Sequence, residues 1–344
     1  MDLTKRSKNS GRCSLFLFVL LIAACQPHAQ NKKQVVFAGP IMGTQYRITA
    51  VLNPEVNVLE LEKSILAAMQ AVNQSMSNYI DDSELNQLNQ APSGRAIQLS
   101  AGLAEVLNMA LSISALSEGA FDITLAPVID LWGFGPNGSI TQKPTAQTID
   151  SLKDSIGYRH IELEEQVLRK KTDNLSIDLS AIAKGYAVDQ VVIAIRNHGI
   201  LDYLVNIGGE LKAAGVNIDR EIWRVGIEKP HILGGVQKIV SLDNNAIATS
   251  GDYRNFHLID GQQYSHTIDP KTLSPVFHKL ALVSVIHESA SMADGLATAM
   301  MAMGEEHALD FANKHGLSAY FMVRGAQQGE FVEVKSDKFN LNLQ

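Results

Sequence analysis

The sequence predicts an α+β fold, because predicted strands and helices follow one another without the regular alternation of a doubly wound parallel sheet. One observation is the β-rich composition, with turn residues, of residues 34–52 and of much of the stretch 203–251. Another is the helical spacing of apolar residues over 56–77, 100–119 and 183–199. Hydrophobic residues make up 46% of the 344 residues, which allows a sizeable core. The formal net charge of −7 argues against nucleic acid as a partner, since phosphate binding needs a basic face.

The first 24 residues are expected to be a signal peptide. Basic residues precede the apolar stretch LFLFVLLIAA (15–24), which is too short to span a bilayer and has the length of a signal-peptide core. Small residues before Cys25 are similar to the lipobox of bacterial lipoproteins, so Cys25 would be the lipidated first residue of the mature protein. The alternative is a plain secretory signal in which Cys25 is incidental. With Cys13 removed and Cys25 acylated, no disulfide is expected.

Residues 25–34 are expected to be a polar tether, and residues 35–344 a single domain. In that domain Ser100 is a candidate N-cap, and Gly199 ends a predicted helix. The Pro- and polar-rich connection 135–150 marks a lobe boundary or a surface loop. In chain order the predicted elements are strands in 34–52, helices over 56–77, 83–91 and 100–119, a hairpin over 167–180, a helix over 183–199, strands in 203–215, 223–230 and 236–251, helices over 291–304 and 307–316, and a strand over 318–323.

The segment SMADGLATAM (291–300) places two polar side chains on one stripe of an otherwise apolar helix. Asp294 and Thr298 are four residues apart, so they share a helical face. A buried carboxylate is costly unless it is paired, hydrogen-bonded or bound to a metal. A carboxylate and a hydroxyl suit Mg²⁺, and no His/Cys cluster has zinc spacing. The alternative is that Asp294 caps the helix and Thr298 bonds back to its own backbone.

Two segments in the first half of the domain could contact a ligand. GPIMGTQYRI (39–48) contains a Gly-Thr step that would let a ligand approach the backbone, or else a β-bulge. GAFDITLAPVIDLWGFG (119–135) places Asp122 among apolar neighbours and near two large aromatic residues, Phe121 and Trp132. This mixture is typical of a pocket for a flat, polar-edged ligand, and equally of a turn with a capping Asp and core aromatics.

Two later segments carry polar groups of possible catalytic use. In SIDLSAIAKGYAVD (176–189), Asp178 precedes a tight loop and Lys184 opens a helix, so an anion could meet backbone N–H groups and a positive charge. The alternative is a helix cap with a solvated lysine, and the glycine spacing of a dinucleotide fingerprint is absent. In YSHTIDPKTLSPV (264–276), His266 is either a catalyst or a satisfied histidine beside an apolar strand.

Eight segments, in this order, resemble the ApbE family, the FAD:protein FMN transferases, over nearly the whole chain from about residue 35. They are GPIMGTQYRI, SMSNYIDDSELNQLN, GAFDIT…P…LWGFG, DLSAIAKGYAVD, VNIGGEL, ATSGDYRNF, SHTIDPKT and ADGLATAMMAMG. The resemblance implies a T-fold-related α+β domain of two lobes, with mixed, largely antiparallel sheets and flanking helices. It also implies an enzyme that uses Mg²⁺ to cleave FAD, joins FMN through a phosphoester to a Thr or Ser of a target protein, and releases AMP.

The same resemblance implies roles for individual residues. Asp294 and Thr298 would hold Mg²⁺ together with the backbone carbonyl of Ala181, so Asp294 would also serve catalysis. His266 would be the general base for the target hydroxyl. Leu273 replaces the Gly of the usual DPKTG, and SAIAKG lacks the usual Gly-rich run. The implied FAD contacts are Met42, Tyr79, Ala120, Phe121, Asp122, Asp178, Lys184 and Ile268.

The resemblance further implies partners and a location. Family targets are flavin-carrying subunits of membrane redox pumps, such as the sodium-pumping quinone reductase and the Rnf complex. We therefore expect a protein lipid-anchored to the inner membrane on its periplasmic side, although Gln26 is not the Asp associated with inner-membrane retention. Two other functions stay open: a Mg²⁺-dependent FAD pyrophosphatase that transfers FMN to water, and a periplasmic flavin-binding lipoprotein without turnover.

Overall fold

The computed structural model describes residues 32–230, 235–253, 255–327 and 329–341. The predicted signal peptide, Cys25 and most of the tether therefore lie outside the described residues. From Lys32 onward, contacts between residues group the chain into one compact unit. In the described part of the chain, no helix combines the length and the apolar character that a membrane crossing would need.

Strands and helices follow one another irregularly along the chain, as the predicted α+β class requires. The strands are β1 Lys33–Ile41, β2 Thr44–Leu52, β3 Ile97–Gln98, β4 Ile161–Glu164, β5 Val167–Lys170, β6 Tyr203–Ile207, β7 Glu210–Ala214, β8 Trp223–Glu228, β9 Val236–Leu242, β10 Asn245–Gly251, β11 Phe256–Ile259, β12 Gln262–Ser265, β13 Ile268–Asp269, β14 Ser274–Pro275, β15 Leu280–His287, β16 Ser318–Arg324 and β17 Phe331–Lys335. The helices are α1 Val58–Met76, α2 Glu84–Gln90, α3 Ala101–Leu116, α4 Ala126–Leu131, α5 Ala146–Asp150, α6 Ala183–Asn197, α7 Ala290–Met303, α8 Glu305–Lys314 and α9 Asp337–Leu341.

Within the described residues, the main sheet has eight strands in the order β1-β2-β6-β7-β10-β15-β16-β17. Every neighbouring pair in it is antiparallel. The β1–β2 hairpin turns at Met42 and Gly43, which have φ values of 49° and 69°. A two-residue hairpin loop of type I′ requires positive φ at both positions, so this turn presents Met42 in a defined direction. The predicted antiparallel pairing is confirmed.

Both faces of the main sheet are covered. On one face, helices α1, α3, α6, α7 and α8 bury their apolar sides with Ile48 of β2 and Val283 of β15. On the other face, the β8–β9 hairpin packs Trp223 into a second apolar cluster with Leu282. Successive side chains of a strand point to opposite faces, which explains why β15 is buried without a break from Leu280 to Ile286 rather than at alternate residues.

A third apolar cluster joins α4 to the short hairpins that follow β10. The indole of Trp132 stacks on Tyr264 with ring centroids 5.4 Å apart, and its N–H donates to the carbonyl oxygen of Leu273 at 3.0 Å. Leu273 is buried and has a φ of 53°, a backbone conformation that favours glycine. Leucine at this position therefore keeps the backbone shape that a glycine would adopt and adds apolar packing.

One predicted element is wrong, the hairpin over residues 167–180. The observed β5 pairs backwards with β4 through a tight turn at Glu165, which has a φ of 52°, and also with β3. After β5 the chain forms turns and a loop, and the buried Lys170 donates to the carbonyls of Asn89 and Leu175. The other predicted helices and strands agree with the observed ones to within three residues at each end.

Candidate functional site

A cavity of about 500 Å³ lies between the β1–β2 turn, the end of α1 and the start of α6. Its lining includes Met42 from the turn, Tyr79 from the connection after α1, and Asp178 and Lys184 around the start of α6. Cavities of about 300–1,000 Å³ are typical of small-molecule sites. The structure thus brings four of the implied FAD contacts together around one space large enough for a ligand.

Neighbouring groups hold Asp178 in place at the cavity wall. Its carboxylate accepts from the side-chain amide of Asn78 at 2.7 Å and from the backbone N–H of Ser180 at 2.7 Å. The preceding residue, Ile177, exchanges two hydrogen bonds with the side chain of Asn89, at 2.7 and 2.9 Å. Tertiary hydrogen bonds, rather than a paired strand, therefore position this loop.

Lys184 lies between two buried carboxylates. Its Nζ is 3.5 Å from Oε1 of Glu210 and 3.9 Å from Oδ2 of Asp294, and it donates to the carbonyl of Ser180 at 3.3 Å. Burial lowers the pKa of Lys184, but the negative charges of Asp294 and Glu210 outweigh it and hold the pKa above its ordinary value. We call Lys184, Asp294 and Glu210 the floor, of which Lys184 lines the cavity and the two carboxylates contact Lys184.

Glu210 is a site residue that sequence reasoning missed. It begins β7 directly after the turn Gly208–Gly209, and only 4% of its surface is exposed. Its Oε2 has no hydrogen-bond partner among the described residues, so one buried carboxylate oxygen is available to a donor or a cation. Burial raises the pKa of Glu210 to about 8 against the opposing positive charge of Lys184. The available signal was a carboxylate directly after a Gly-Gly step in VNIGGEL.

Asp294 finds its partners in the neighbouring helix α6. Its Oδ2 accepts from the backbone N–H of Gly185 at 3.0 Å. Since Ile182 at the start of α6 makes no side-chain capping bond, Asp294 caps α6 from outside. The close approach depends on glycine, because a Cβ at Gly185 would lie 2.3 Å from the carbonyl oxygen of Ala290. Burial raises the pKa of Asp294, while the charge of Lys184 and the bond from Gly185 oppose the shift.

Asp294 and Thr298 share one face of α7, as predicted, and the expected structural alternative is wrong. Ser289, not Asp294, caps α7, and the hydroxyl of Thr298 lies 3.2 Å from that of Ser250 in β10. The carboxylate of Asp294 and the hydroxyl of Thr298 are oxygen donors of the kind that suit Mg²⁺. No group of three His, Cys, Asp or Glu side chains in the described chain could hold a metal alone. Waters and substrate oxygens would have to complete the coordination.

A series of contacts joins Tyr79 of the cavity lining to three further rings. The Tyr79 hydroxyl donates to the carbonyl of Phe134 at 3.3 Å. The Phe134 ring stacks on His257 at 4.2 Å and meets His266 edge-on at 6.3 Å between ring centres. We call Tyr79, Phe134, His257 and His266 the rim. Nothing in the sequence marks Phe134 or His257 as a site residue, since only the tertiary contact joins them to His266.

The hydrogen bond of His266 defines its tautomer. Nδ1 of His266 is 3.0 Å from the carbonyl oxygen of Asn255, and because a carbonyl only accepts, Nδ1 carries the proton. Nε2 therefore has the lone pair. Burial lowers the pKa of His266 and the positive charge of Lys184 adds to this, against the Asn255 bond and the charge of Asp252. His266 is thus a neutral imidazole near pH 7, as a general base requires.

The remaining implied FAD contacts lie outside the cavity lining. The Asp122 carboxylate accepts from the N–H and hydroxyl of Thr124, at 2.8 and 2.6 Å, and from the N–H of Tyr158 at 2.9 Å. It therefore acts as the capping residue of a turn, and burial raises its pKa. Phe121 is buried beside Gly295 of α7. The group outside the lining is Ala120, Phe121, Asp122 and Ile268, of which Ile268 belongs to the third apolar cluster.

Comparison with known proteins extends this picture over the whole domain. A sequence model of the ApbE family matches residues 42–321. The FAD:protein FMN transferase of Vibrio cholerae is 39% identical over 308 residues, which cover 89% of this chain and 91% of that protein. The FAD:protein FMN transferase of Haemophilus influenzae is 36% identical over 314 residues, covering 89% and 90%. The solved structure of flavin transferase ApbE from Vibrio cholerae superposes with a TM-score of 0.84 at 38% identity, covering 91% of this chain and 100% of that one.

Proposed function

The chain belongs to the ApbE family, and we propose that it is a FAD:protein FMN transferase. The observation that carries this proposal is the floor, in which a lysine that lines the cavity of about 500 Å³ contacts two buried carboxylates. In the proposed reaction, a Thr or Ser hydroxyl of an acceptor protein attacks the phosphorus of the FMN half of FAD. The P–O bond to the AMP half breaks, AMP leaves with its electron pair, and a phosphoester joins FMN to the acceptor.

The proposed metal is Mg²⁺, held by the side chains of Asp294 and Thr298 and by the backbone carbonyl of Ala181. Ala181 lies in the loop directly before α6, whose Gly185 contacts Asp294. Because burial raises the pKa of Asp294, a cation beside it would stabilise the ionised carboxylate. When bound, Mg²⁺ would neutralise negative charge that develops on the pyrophosphate.

Residues of the chain itself would bind and orient FAD. Lys184 brings a positive charge to the cavity wall, where the pyrophosphate would need it. Tyr79, whose surface is 68% exposed, offers one ring face to a flat ligand at the cavity mouth, and Met42 offers an apolar surface. These contacts hold the ligand so that the acceptor hydroxyl approaches from the rim.

His266 would remove the proton of the acceptor hydroxyl. Its Nε2 carries the lone pair, because Nδ1 is engaged with the carbonyl of Asn255. The lowered pKa keeps it neutral at pH 7. A positioned general base typically contributes about 10²–10⁴-fold to the rate.

The proposed location is the periplasmic side of the inner membrane, with a lipid on Cys25. The support is the sequence before the described residues, an apolar stretch that ends in LIAAC. Anchoring would raise the effective concentration of the enzyme near membrane-bound acceptor subunits of redox complexes. Labelling with a radioactive fatty acid, lost in Cys25→Ser, would test the anchor.

The decisive experiment weighs the acceptor. Purified protein is incubated with FAD, MgCl₂ and a flavin-acceptor subunit of a membrane redox pump, and the intact mass of the acceptor is measured. Asp294→Ala is measured alongside. The matched control is Asn57→Ala, which removes the N-cap of α1 at the end of that helix away from the cavity. A gain equal to FMN less one water, as a phosphoester requires, and lost only in Asp294→Ala, supports the transferase. AMP and FMN released without any gain would replace it with a pyrophosphatase, and intact FAD would replace it with a binding protein.

A further inference from the structure

Asp189, in the middle of α6, does not line the cavity and has no part in the proposed reaction. Its Oδ1 accepts from Nζ of Lys212 at 2.8 Å and from the backbone N–H of Ala290 at 3.1 Å. Its Oδ2 accepts from the backbone N–H of Ser291 at 3.0 Å, from the Ser291 hydroxyl at 2.8 Å and from the Ser289 hydroxyl at 2.9 Å. One carboxylate of α6 thus accepts hydrogen bonds from three consecutive residues at the start of α7, and we call this arrangement the clamp.

These bonds satisfy groups that α7 cannot satisfy itself. The first N–H groups of a helix have no partner inside the helix, and those of Ala290 and Ser291 find theirs in Asp189. A negative charge at the N-terminus of a helix also interacts favourably with the helix dipole and stabilises α7. Burial acts to raise the pKa of Asp189, but the charge of Lys212 and the bonds from α7 keep it below its ordinary value. The clamp is therefore an ionised carboxylate with a cation beside it.

The two helices are joined a second time in the opposite direction. Asp294 of α7 accepts from the N–H of Gly185 in the first turn of α6 at 3.0 Å. At Gly185 the helices approach so closely that a Cβ would lie 2.3 Å from the carbonyl oxygen of Ala290. A carboxylate of each helix therefore accepts from backbone N–H groups in the first turn of the other helix. The two helices come closest at Gly185, between these two sets of hydrogen bonds.

We propose that Asp189 is a positioning residue for the metal site, acting through the first turn of α7. Asp294 follows Ser291 by three residues and Thr298 follows one turn later, so a shift of the first turn moves both side chains relative to Lys184. The inference rests on the proposed magnesium site and adds to it a residue that touches neither the metal ligands nor the cavity. Partners that orient metal ligands typically affect metal affinity about 10–100-fold.

Asp189→Asn is the sharpest probe, because both carboxylate oxygens accept from donors. Whichever way the amide is turned, its NH₂ group faces either Lys212 and the Ala290 N–H or the donors of Ser289 and Ser291. The substitution keeps the size of the side chain and cannot keep the clamp. Asn57→Ala, which removes the cap of α1, is the matched control for loss of a helix cap away from the metal residues.

The test is calorimetric titration of MnCl₂ into the full-length protein without FAD. We expect Asp189→Asn to bind Mn²⁺ about tenfold more weakly than the wild type, Asn57→Ala to bind equally, and Asp294→Ala to lose binding. Equal affinity of Asp189→Asn and wild type overturns the positioning role and leaves the proposed function standing. Absence of Mn²⁺ binding by the wild type overturns the metal site and, with it, the role of Asp189.

Turnover supplies a second readout that a merely structural role would not move. In Asp189→Asn the Mg²⁺ concentration for half-maximal rate should rise about tenfold, and the rate at saturating Mg²⁺ should return to within about threefold of wild type. A lowered rate with unchanged Mg²⁺ dependence contradicts the inference. If Asp189→Asn does not fold, Ser291→Ala removes only the 2.8 Å hydroxyl bond and should still weaken Mn²⁺ binding about twofold. Unchanged binding in Ser291→Ala then overturns the role.

Discussion

The floor and the rim, which meet the cavity at Lys184 and at Tyr79, differ in how their side chains are held. The floor belongs to two long helices and to the main sheet, and Asp294 and Glu210 are each 4% exposed. The rim belongs to connections and to the short β11–β12 hairpin, and Tyr79 is 68% exposed. Buried charges tolerate only neighbours that compensate them at short range, whereas stacked rings gain from area and accept looser backbone. We therefore expect the floor to be intolerant of substitution and the rim to show graded effects.

The largest effect is expected in the floor. Asp294→Ala removes the proposed metal carboxylate, and the rate of FMN transfer should fall about a thousandfold, since several kcal/mol of charge stabilisation are lost at about 1.4 kcal/mol per tenfold. The measurement is the initial rate by acceptor mass, with Asn57→Ala as control. A fall in the rate of less than about tenfold would mean that the floor tolerates substitution and does not differ from the rim in this respect.

The rim should contribute next through His266. His266→Ala should lower kcat about a hundredfold with little change in KM for FAD, because a proton acceptor and not a binding contact is lost. Steady-state kinetics at saturating Mg²⁺ would measure both constants. A KM change without a kcat change would reassign His266 to FAD binding.

The pH dependence of the wild type sharpens the same point. The neutral imidazole is the active form, and the pKa of His266 is lowered from its ordinary 6.5. Activity should therefore be full above pH 6.5 and fall as the pH drops through the lowered pKa. Measuring kcat from pH 4.5 to 8 tests this, and an acid limb centred above pH 6.5 contradicts the assignment.

Glu210 should make the floor pH-sensitive in stability. Its pKa is raised from 4.5 to about 8, so the folded state binds more protons than the unfolded state between these values. Stability of the wild type should thus lose on the order of 3 kcal/mol from pH 5 to pH 8 that Glu210→Gln does not lose. Urea unfolding in EDTA at both pH values gives the comparison. If the free energy of unfolding changes equally with pH in the wild type and in Glu210→Gln, the group with the raised pKa is not Glu210.

The smallest effect is expected at the exposed end of the rim. Tyr79→Phe removes only the bond from its hydroxyl to the Phe134 carbonyl and keeps the ring face, so KM for FAD should rise about twofold. Tyr79→Ala also removes the ring and should raise KM about tenfold. If Phe and Ala substitutions behave alike, the ring face does not bind the flavin.

The site divides in the same way between what could be predicted and what could not. The shared face of Asp294 and Thr298 follows from a spacing of four, a property of one helix. The partners of Asp294 and the place of Glu210 could not be predicted, since Gly185 is 109 residues from Asp294 along the chain. The wrong hairpin over 167–180 has the same origin, because β5 pairs with β3, about 70 residues earlier in the chain, and with β4 rather than with the residues that follow it.

The sequence by itself determined the α+β class, the approximate bounds of the longer helices and the identity of the polar residues on α7, because these depend on spacing within a few residues. Its ordered motifs also determined the family. Only the tertiary structure decided that Asp189 clamps α7, that Asp294 caps α6, and that Phe134 joins Tyr79 to His266. Such contacts depend on where the sheet and helices bring distant segments together, and local periodicity carries no information on that meeting.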